Sequence, residues 1–560
     1  MTLALRPLRG FQAAPPLPQP LAMPDQPLDW HFRDPAAPGV TQRHSRLARA
    51  AVMLVPLAVA TGFAYAQSLA LTGEGAAGVV LAILSGLAVF WLAQSTVTAL
   101  IGAFRRLPPR PCSAVPGLRV AILVPLYGED AAEVIGRAAG LLDRLNGQNH
   151  AHRFSLHVLS DTRDARKVLD EAAIAARFSK GRGEGAIQYR HRARNTDYKQ
   201  GNIRDWMIRQ GAAFDAALIL DADSVMGAET VLAMADALVI DPGCGLVQSS
   251  IMVVPGETVW QRLQSFANRV YGGPLGRGYA HWTGSEGNFM GHNAMVRVRA
   301  FAASAGLPHL SGPRPLGGVI QSHDFVEAAL LRRAGWGVRI MPEAADSHEE
   351  APETLAGHIR RDARWCQGNL QHVRLLTVPG LHWVSRFHLL SGAMAYLGSA
   401  LWLAILCLGV VTGGGGPLLA LGVVALLLAP RLIGLVDHMV RVGVPRGNRL
   451  RFAATAVIEF VVATLVAPVM LVQHVMIIAR ACTGFDAGWM PHEKGALSIR
   501  RAVKLHSLET GLGVALLIGI EAGILSLWLA PVVLGLLLAA PVAVLVGRGG
   551  HWLAEAGWKA

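Results

Sequence analysis

Long apolar blocks near both ends of the chain constrain its fold more than any other feature. There are seven, at about residues 49–71, 76–104, 388–411, 417–437, 452–480, 509–528 and 530–547. As helices rising about 1.5 Å per residue, blocks of this length can cross roughly 30 Å of hydrocarbon. Only 16% of the residues are charged, below the roughly 25% of soluble domains, and most acidic residues lie between the two groups of blocks. We therefore predict a membrane protein with one soluble domain between its spans.

Basic residues set the expected orientation in the membrane. They flank the first two blocks as Arg43, Arg46, Arg49, Arg105, Arg106 and Arg110. The positive-inside rule then places both flanks, and the segment that follows, in the cytoplasm. The net charge of +13 fits topology signals and lipid-headgroup contacts. The sequence contains no nucleic-acid motif and no basic stripe with interleaved aromatics, so nucleic acid is not a predicted partner.

These patterns divide the chain into five parts. We predict a disordered cytoplasmic tail (1–45), two transmembrane helices (46–106), a cytosolic domain with an interfacial helix (107–385), a transmembrane helical bundle (386–548) and a short tail (549–560). The tail prediction rests on residues 1–40, which are rich in Pro and Ala and lack an apolar core.

The block at 452–480 presents a topological conflict. The loops on either side of it both carry several Lys and Arg residues, so both look cytoplasmic. A single span cannot join two loops on one side of a membrane. Either the block breaks near Pro468 into a hairpin or interfacial pair, or one loop is misassigned.

The central segment alternates strand and helix patterns. Strands are predicted at 119–127, 155–162, 187–193 and 217–224, with helices near 131–145, 164–178 and 198–210. The apolar runs of the strands are nearly continuous, as expected for strands buried on both faces, and the alternation predicts a mostly parallel α/β sheet. Ligands of such sheets bind at the carboxyl ends of the strands, where Glu129, Asp161, Asp221 and Asp223 fall.

The sharpest local signal is LILDADSV at 218–225, in which two aspartates one residue apart end an apolar strand. Alternation sends Asp221 and Asp223 to the same side. At about 4 Å, two carboxylates repel by roughly 4 kcal/mol at an effective dielectric near 20, and a divalent cation removes that cost. The pair therefore suggests a metal–diphosphate site, and the alternative is a solvated turn with a helix-capping Asp.

Two further groups could complete such a site. Asp324 in SHDFVEA opens a helical pattern and could accept a hydroxyl proton, or simply cap the helix. Arg364 and Trp365 are adjacent in RRDARWCQGN. A guanidinium suits a diphosphate leaving group and an indole suits the face of a sugar ring, whereas the alternative is an amphipathic interfacial helix.

These pieces, in this order, resemble processive family 2 glycosyltransferases such as cellulose and hyaluronan synthases. The resemblance implies a GT-A-like α/β domain inserted between transmembrane helices. It implies that Asp161 contacts uracil, that Asp221 and Asp223 bind the nucleotide diphosphate and Mg²⁺ (or Mn²⁺), and that Asp324 is the catalytic base. The RDARW motif at 361–365 would bind the diphosphate through Arg364 and the acceptor end through Trp365.

The same resemblance extends to three other segments. PLYGED at 125–130 places Tyr127 and Glu129 near the uracil, and Lys199 in DYKQGN matches a nucleotide-sugar-binding Lys. GSEGNFMGHNAMV at 284–296 corresponds to the acceptor side, with His292 and Asn293 near the acceptor sugar. The alternative for that segment is a buried strand with a satisfied His.

Longer matches point to the branch of this family that makes osmoregulated periplasmic glucans. They include RVYGGPL, MGHNAMVRV and SHDFVEAALLRRAGWGV, within residues 119–375. Arg361 stands where other synthases have Gln, and SHD replaces TED; both departures agree with this branch. The branch implies an inverting enzyme of the bacterial inner membrane that polymerises glucose from UDP-glucose into a β-1,2-glucan backbone and passes it across the membrane.

Partners implied by the resemblance are UDP-glucose, the growing glucan, membrane lipid, a periplasmic glucan-processing protein and acyl carrier protein. One alternative is a synthase of another β-linked polysaccharide. Another is a non-catalytic transporter or scaffold, for which ionisable residues buried in mid-span would be expected. Glu459, Glu521 and Asp437 are the only acidic candidates there, and the concentration of acidic residues in the soluble domain favours an enzyme.

Overall fold

The computed structural model describes residues 20–40, 45–105, 115–342, 346–484, 495 and 497–555. Most of the predicted tail (1–19 and 41–44), several predicted flanking cations (Arg43, Arg106 and Arg110) and the last residues of the predicted C-terminal tail (556–560) lie outside this part. Two long helices come first, α1 (Arg46–Ala70) and α2 (Gly75–Phe104). Small residues let them approach closely, since a Cβ added at Gly86 would lie 3.0 Å from the Ala64 Cβ.

The soluble domain follows as alternating strands and helices. Its elements are β1 (Arg119–Leu126), α3 (Ala131–Asn146), β2 (Arg153–Ser160), α4 (Ala165–Ser179), β3 (Ile187–His191), α5 (Tyr198–Gln210), β4 (Ala216–Ile219), β5 (Val225–Met226), α6 (Ala228–Ile240), β6 (Cys244–Ser249), β7 (Met252–Val253), α7 (Val259–Thr283), β8 (Ala294–Arg297), α8 (Val298–Ser304), α9 (His323–Ala334), β9 (Gly337–Met341), β10 (Ser347–Glu349) and α10 (Leu355–Leu375). The four predicted strands and three predicted helices of this region are confirmed, with shifts of a few residues at their ends.

The main sheet has the order β3-β2-β1-β4-β8-β6-β9. It is mostly parallel, as predicted, and β8 is the strand that runs antiparallel to both of its neighbours. β1 is completely buried from Val120 to Leu123 because helices cover both faces. Since β1, β2 and β4 are parallel, their carboxyl ends meet at one edge, which gathers the polar residues that follow them. A small second sheet, β5-β10-β7, lies beside this edge.

Residues 20–40 correct the prediction of a disordered tail. This segment packs against the domain: the Leu21 N–H donates to the Ile208 carbonyl at 2.9 Å, and the Trp336 indole donates to the Asp34 carboxylate at 2.9 Å. Gln26 is 2% exposed. The segment has too few apolar residues to form a core of its own, but its polar groups find partners on a surface that is already folded, and those partners order it.

Seven α-helices follow the domain in the residues that the structure describes. They are α11 (Trp383–Thr412), α12 (Pro417–Arg441), α13 (Arg449–Cys482), α14 (Ile499–Leu505), α15 (Ser507–Glu521), α16 (Ala530–Leu537) and α17 (Ala539–Val546). In the described part of the chain, five helices are long and apolar enough to cross a membrane: α1, α2, α11, α12 and α13 (extended here to 446–482). The last two predicted blocks are instead bent pairs, with angles of 68° and 54°, so the number of spans is up to seven if each pair counts as one.

The block at 452–480 lies within one continuous helix, α13, so of the two alternatives the break near Pro468 into a hairpin or interfacial pair is wrong. Proline is tolerated inside apolar helices because neighbouring helices compensate for the lost hydrogen bond. The first half of α13 contacts α7, where the Tyr271 hydroxyl donates to Glu459 at 2.9 Å. The second half contacts α10, where His474 and Asp362 are 3.0 Å apart. Because one continuous span cannot join two loops on the same side of a membrane, the alternative that remains is that one flanking loop is misassigned.

The helix α7 attaches the domain to the spans. A Cβ at Gly102 of α2 would lie 1.7 Å from the Pro274 carbonyl oxygen, so only glycine permits this approach. Arg277 donates to the Gly102 carbonyl at 3.0 Å and to Asp437 of α12 at 2.6 Å. The ends of α2 and α12 are therefore fixed against α7, and through it against the domain.

Candidate active site

The aspartate pair lies directly after β4, at the edge where the parallel strands end. The Asp221 N–H donates to the Ser224 hydroxyl at 2.8 Å, which shapes the turn. Lys199, near the start of α5, forms an ion pair with the Asp221 carboxylate and donates to the Gly291 carbonyl at 2.7 Å. The helix-capping alternative for the pair is wrong, because α6 begins only at Ala228 and Gly227 is its N-cap residue.

The two carboxyl groups differ in their ionisation. Burial raises the pKa of Asp223 to about 6, and the neighbouring charge of Asp221 adds to this. Burial opposes ionisation of Asp221 as well, but Lys199 and His292 outweigh it and its pKa is lowered. The two pKa values are pushed apart, as expected for close carboxylates competing for one negative charge. A divalent cation would stabilise both in the charged form.

The pair fits a metal ion that is shared with a ligand. No group of three or more His, Cys, Asp and Glu side chains in the described residues is arranged to hold a metal by itself. Two carboxylates are the protein ligands that Mg²⁺ usually has when substrate phosphates and water complete its octahedron. The donor set therefore suits a metal–diphosphate complex better than a structural ion.

The raised pKa of Asp223 gives an expected pH dependence. A protonated carboxyl is a poor ligand, so affinity for Mn²⁺ should fall about tenfold per unit as the pH drops below about 6. Isothermal titration of the purified protein with UDP and Mn²⁺ at pH 5, 6 and 7.5 measures this. Asp223→Asn has no carboxyl to titrate and should bind weakly with little change across the window. Equal affinity of the wild-type protein at pH 5 and pH 7.5 would contradict the expectation.

His292 lies behind the aspartate pair. Its imidazole is 3.2 Å from the Glu349 carboxylate and 3.3 Å from the Ser224 hydroxyl. Burial disfavours its protonation, but the charges of Asp221 and Glu349 outweigh that effect and raise its pKa to about 9. The alternative of a satisfied buried His therefore fits this position, and the side chain adjoins the aspartates.

Asn293 is wrongly predicted as an acceptor contact. It is completely buried, and its amide donates to the Ser347 hydroxyl at 3.0 Å and the His348 carbonyl at 3.1 Å. Its φ of 51° is left-handed, a conformation that Asn adopts more readily than most residues. Asn293 thus connects the second sheet to the main sheet beside the site.

Asp324 lies across Gly291 from the aspartate pair. It is the second residue of α9, whose N-cap residue is Ser322, so the capping alternative is wrong. Gly291 has a φ of 86°, and a Cβ there would lie 3.3 Å from the Asp324 Oδ2. The Gly291 carbonyl also accepts a hydrogen bond from the Lys199 ammonium. Gly291 therefore lies between Asp324 and the Lys199–Asp221 ion pair. The structure thus brings Asp324 close to an aspartate pair that is distant from it in sequence.

A buried pair supports the start of α9. His323 Nδ1 is 2.9 Å from the Glu327 carboxylate, one turn further along the helix. Burial raises the pKa of Glu327, although His323 acts in the opposite direction. The Glu327 carboxylate is therefore paired with His323, whereas the Asp324 carboxylate lies beside Gly291.

The predicted uracil side is held by groups on three strands. Asp161, after β2, makes a two-pronged ion pair with Arg192, with both distances 2.7 Å. Glu129 folds back to accept from the Tyr127 N–H at 2.6 Å, and burial raises its pKa. Sequence reasoning missed Arg192; its place just after β3 is the signal that could have identified it.

Glu171 is a second residue that sequence reasoning missed. It is 1% exposed and accepts from the hydroxyls of Ser160 and Thr162, each at 2.6 Å, and of Tyr189 at 2.9 Å. These bonds fix the residues on either side of Asp161. Its position in the middle of an ordinary helical pattern carries no sequence signal.

The predicted RDARW motif lies on α10. Burial and the nearby Arg361 lower the pKa of Arg364, and the charge of Asp221 acts in the opposite direction. The Arg361 guanidinium lies 4.6 Å from the centre of the Trp365 ring, which is 45% exposed. The opposite face of α10 buries Cys366 among the membrane helices. The helix α10 is therefore amphipathic and also has an exposed side that carries Trp365, so both interpretations of it hold.

A buried ion cluster anchors the segment that carries Gly291. Glu286 accepts from Arg49 of α1 at 2.5 Å and from Arg332 of α9 at 3.0 Å. His388 of α11 contacts the Glu286 carbonyl at 2.9 Å. The first span, the helix of Asp324 and the first span after the domain thus meet at one residue.

Comparisons with known proteins agree with this geometry. Residues 217–433 match the family described as "Glycosyl transferase family group 2". A glucans biosynthesis glucosyltransferase H of Rhodopseudomonas palustris (strain TIE-1) is 37% identical, over 96% of this chain and 80% of that protein. The protein of that name from Caulobacter vibrioides (strain NA1000 / CB15N) is 36% identical, over 96% of this chain and 88% of that protein.

Among solved structures, a mannosyltransferase from Pyrobaculum calidifontis in complex with GDP-Man and Mn²⁺ is 15% identical, with a TM-score of 0.43, over 72% of this chain and 98% of that one. At that level the likeness says nothing about donor or metal. The two bacterial relatives match along most of both chains, and this match alone is sufficient to assign the family. This chain is a membrane-embedded glycosyltransferase with a GT-A-like domain, and it belongs to the glucans biosynthesis glucosyltransferase H family.

Proposed function

We propose that this protein polymerises glucose from UDP-glucose into the β-1,2-linked backbone of osmoregulated periplasmic glucans. The observation that carries the proposal is the placement of Asp324 beside Gly291, whose carbonyl binds the same Lys199 ammonium that pairs with Asp221 of the aspartate pair. In such an arrangement the aspartate pair would bind a cation, Arg364 would bind the diphosphate, and the Asp324 carboxylate would face the acceptor. The names of the relatives support a glucosyl donor and a glucan product.

In the proposed reaction, each of these groups has one role. Asp324 accepts the proton of an acceptor hydroxyl, whose oxygen forms a bond to the anomeric carbon of glucose. The bond from that carbon to the diphosphate oxygen breaks, and UDP leaves with the electron pair. Attack from the face opposite UDP inverts the anomer, so an α-linked donor gives a β-linked product.

The charge that develops on the leaving diphosphate needs cations. Mg²⁺ (or Mn²⁺) held by Asp221 and Asp223 would supply charge neutralisation when bound. Arg364 would bind diphosphate oxygens, and Lys199, which reaches both Asp221 and the Gly291 carbonyl, would fix the relative positions of the donor and Asp324. Tyr127, Glu129 and Asp161 would hold the uracil end.

The acceptor and product occupy the other side of the cleft. Trp365, whose ring is half-exposed on α10, would stack on the acceptor sugar, and His292 would support the aspartates from behind. The helices after the domain would pass the growing glucan across the inner membrane, with the catalytic domain on the cytoplasmic face. A periplasmic glucan-processing protein and acyl carrier protein are further partners that the family resemblance suggests.

A transporter without catalysis has less support. Two acidic residues of the membrane helices are neutralised by arginines: Asp437 by Arg277 at 2.6 Å and Glu459 by Arg431 at 3.3 Å. Both pairs join helices to each other, which is a structural use of intramembrane charge.

The experiment that tests the donor is a comparison of nucleotide sugars. Purified protein is incubated with Mg²⁺ and either UDP-glucose, UDP-N-acetylglucosamine, UDP-galactose or GDP-mannose, and release of the nucleoside diphosphate is measured. UDP-glucose should be turned over fastest by at least tenfold. A faster reaction with another donor would contradict UDP-glucose as the donor and would favour a synthase of a different β-linked polysaccharide.

A further inference from the structure

An apolar cavity of about 570 Å³ lies between the spans α12 and α13, away from the aspartate pair. Leu435 and Met439 of α12 line one side, and Phe452 and Ala453 of α13 line the other. The cavity is half-open, and Met439 is 53% exposed beside it. Both helices are long and apolar enough to span a membrane, so lipid can reach the open side. The remaining polar group of the lining is Arg449, the first residue of α13.

The end of the cavity at Arg449 attracts anions for two independent reasons. Arg446 and Arg449 make no ion pair with a carboxylate in the described part of the chain, whereas the neighbouring Arg441 is paired with Asp437 at 2.8 Å. The helix α13 has no acidic residue in its first turn, and its N-cap residue Asn448 makes no capping bond. The positive dipole end of this 34-residue helix therefore has no acidic side chain of its own first turn to offset it.

We propose that this cavity binds an anionic phospholipid, with its phosphate at Arg449 and Arg446 and an acyl chain along the groove between α12 and α13. An apolar groove with cations at one end matches the two parts of a lipid molecule. A zwitterionic lipid brings a cation of its own to the arginines, so a net negative headgroup fits better. A free anion would use the arginines but would leave the groove unfilled.

The site adjoins the helix that attaches the catalytic domain. The centroid of the Phe452 ring lies 5.2 Å from that of Phe266 in α7, and the His438 ring stacks on Phe452 with centroids 5.4 Å apart. A lipid chain in the groove therefore rests on the side chains that hold α7 in place. The proposal concerns binding and does not depend on which donor the enzyme uses.

The experiment measures lipid binding to the purified, delipidated full-length protein by native mass spectrometry. The probes are dioleoylphosphatidylglycerol and dioleoylphosphatidylcholine. Arg446→Gln with Arg449→Gln removes the two cations, and Ala453→Phe fills the groove without changing charge. The matched control, Arg500→Gln with Lys504→Gln, removes two exposed cations from α14 instead. If Ala453→Phe lowers thermal stability, Ala453→Leu takes its place.

The wild-type protein should bind phosphatidylglycerol at least about tenfold more tightly than phosphatidylcholine. The double arginine variant should lose this preference, the groove-filling variant should bind both lipids more weakly, and the control should behave as wild type. Equal binding of the two lipids to wild type, or a control that loses as much as the arginine variant, would overturn the proposal. Loss in the arginine variant alone, with Ala453→Phe unchanged, would assign the site to a free anion and would also overturn it.

Discussion

Asp324→Asn should lose about 10²–10⁴-fold in glucosyl transfer while the protein remains folded and still binds UDP. The reason is that Asn has nearly the shape of Asp but cannot accept a proton from the acceptor hydroxyl. Asp324 is not the N-cap residue of α9, so the change costs at most the favourable interaction of a charge with the helix dipole, about 0.3–1 kcal/mol. A loss of rate without a comparable loss of stability therefore separates catalysis from helix stabilisation.

The measurements are turnover of UDP-glucose, UDP affinity and the thermal unfolding midpoint. Glu229→Gln is the matched control, because Glu229 is an exposed acidic residue in the first turn of another helix, α6. It should leave all three quantities near wild type. If Asp324→Asn keeps more than about a tenth of wild-type turnover, below the range expected for a lost base, Asp324 is not the base. Glu327, paired with His323 one turn along α9, would then be the first candidate.

Asp223→Ala should reduce turnover by at least about 10³-fold, because it removes one of two ligands of a cation that neutralises the leaving diphosphate. Stability should be unchanged or slightly higher. Burial and the charge of Asp221 both raise the pKa of Asp223, so the folded protein disfavours a charge at this position. Alanine removes the carboxylate and with it the repulsion from Asp221.

The checks are turnover with and without EDTA, followed by addition of Mg²⁺, and thermal unfolding of the variant. The wild-type enzyme should stop in EDTA and recover with Mg²⁺, and Asp223→Ala should not recover at any Mg²⁺ concentration. Turnover that survives either EDTA or the substitution would contradict a catalytic metal ion at Asp223.

The strand ends were predictable because apolar runs are local. Buried strands near 119, 155 and 217 are visible in the sequence, and parallel strands bring their carboxyl ends to one edge. This is why Asp161 and Asp221 could be located before the structure. A shared site for Asp324 and the aspartate pair was expected only from family resemblance, since no periodicity relates Asp324 to Asp221, and the contact of Asp324 with Gly291 was not predicted.

The remaining features depend on partners that the sequence pattern does not identify. Arg49 and Glu286 are 237 residues apart and both buried, and nothing local to either predicts the other. The ordered segment 20–40 likewise looks disordered by composition because its stabilising contacts lie on the domain. The error at Asn293 has a similar cause: a polar residue in a motif was assumed to face the ligand, but its amide is used to join two sheets.

The most direct test of the account is the product itself. Purified protein in detergent is incubated with radiolabelled UDP-glucose and Mg²⁺, and the glucan is recovered for linkage analysis and for assignment of the anomeric configuration by NMR. We expect a β-1,2-linked glucan whose formation matches UDP release and falls about 10²–10⁴-fold with Asp324→Asn. An α-linked product, or a β-glucan of another linkage, would contradict it.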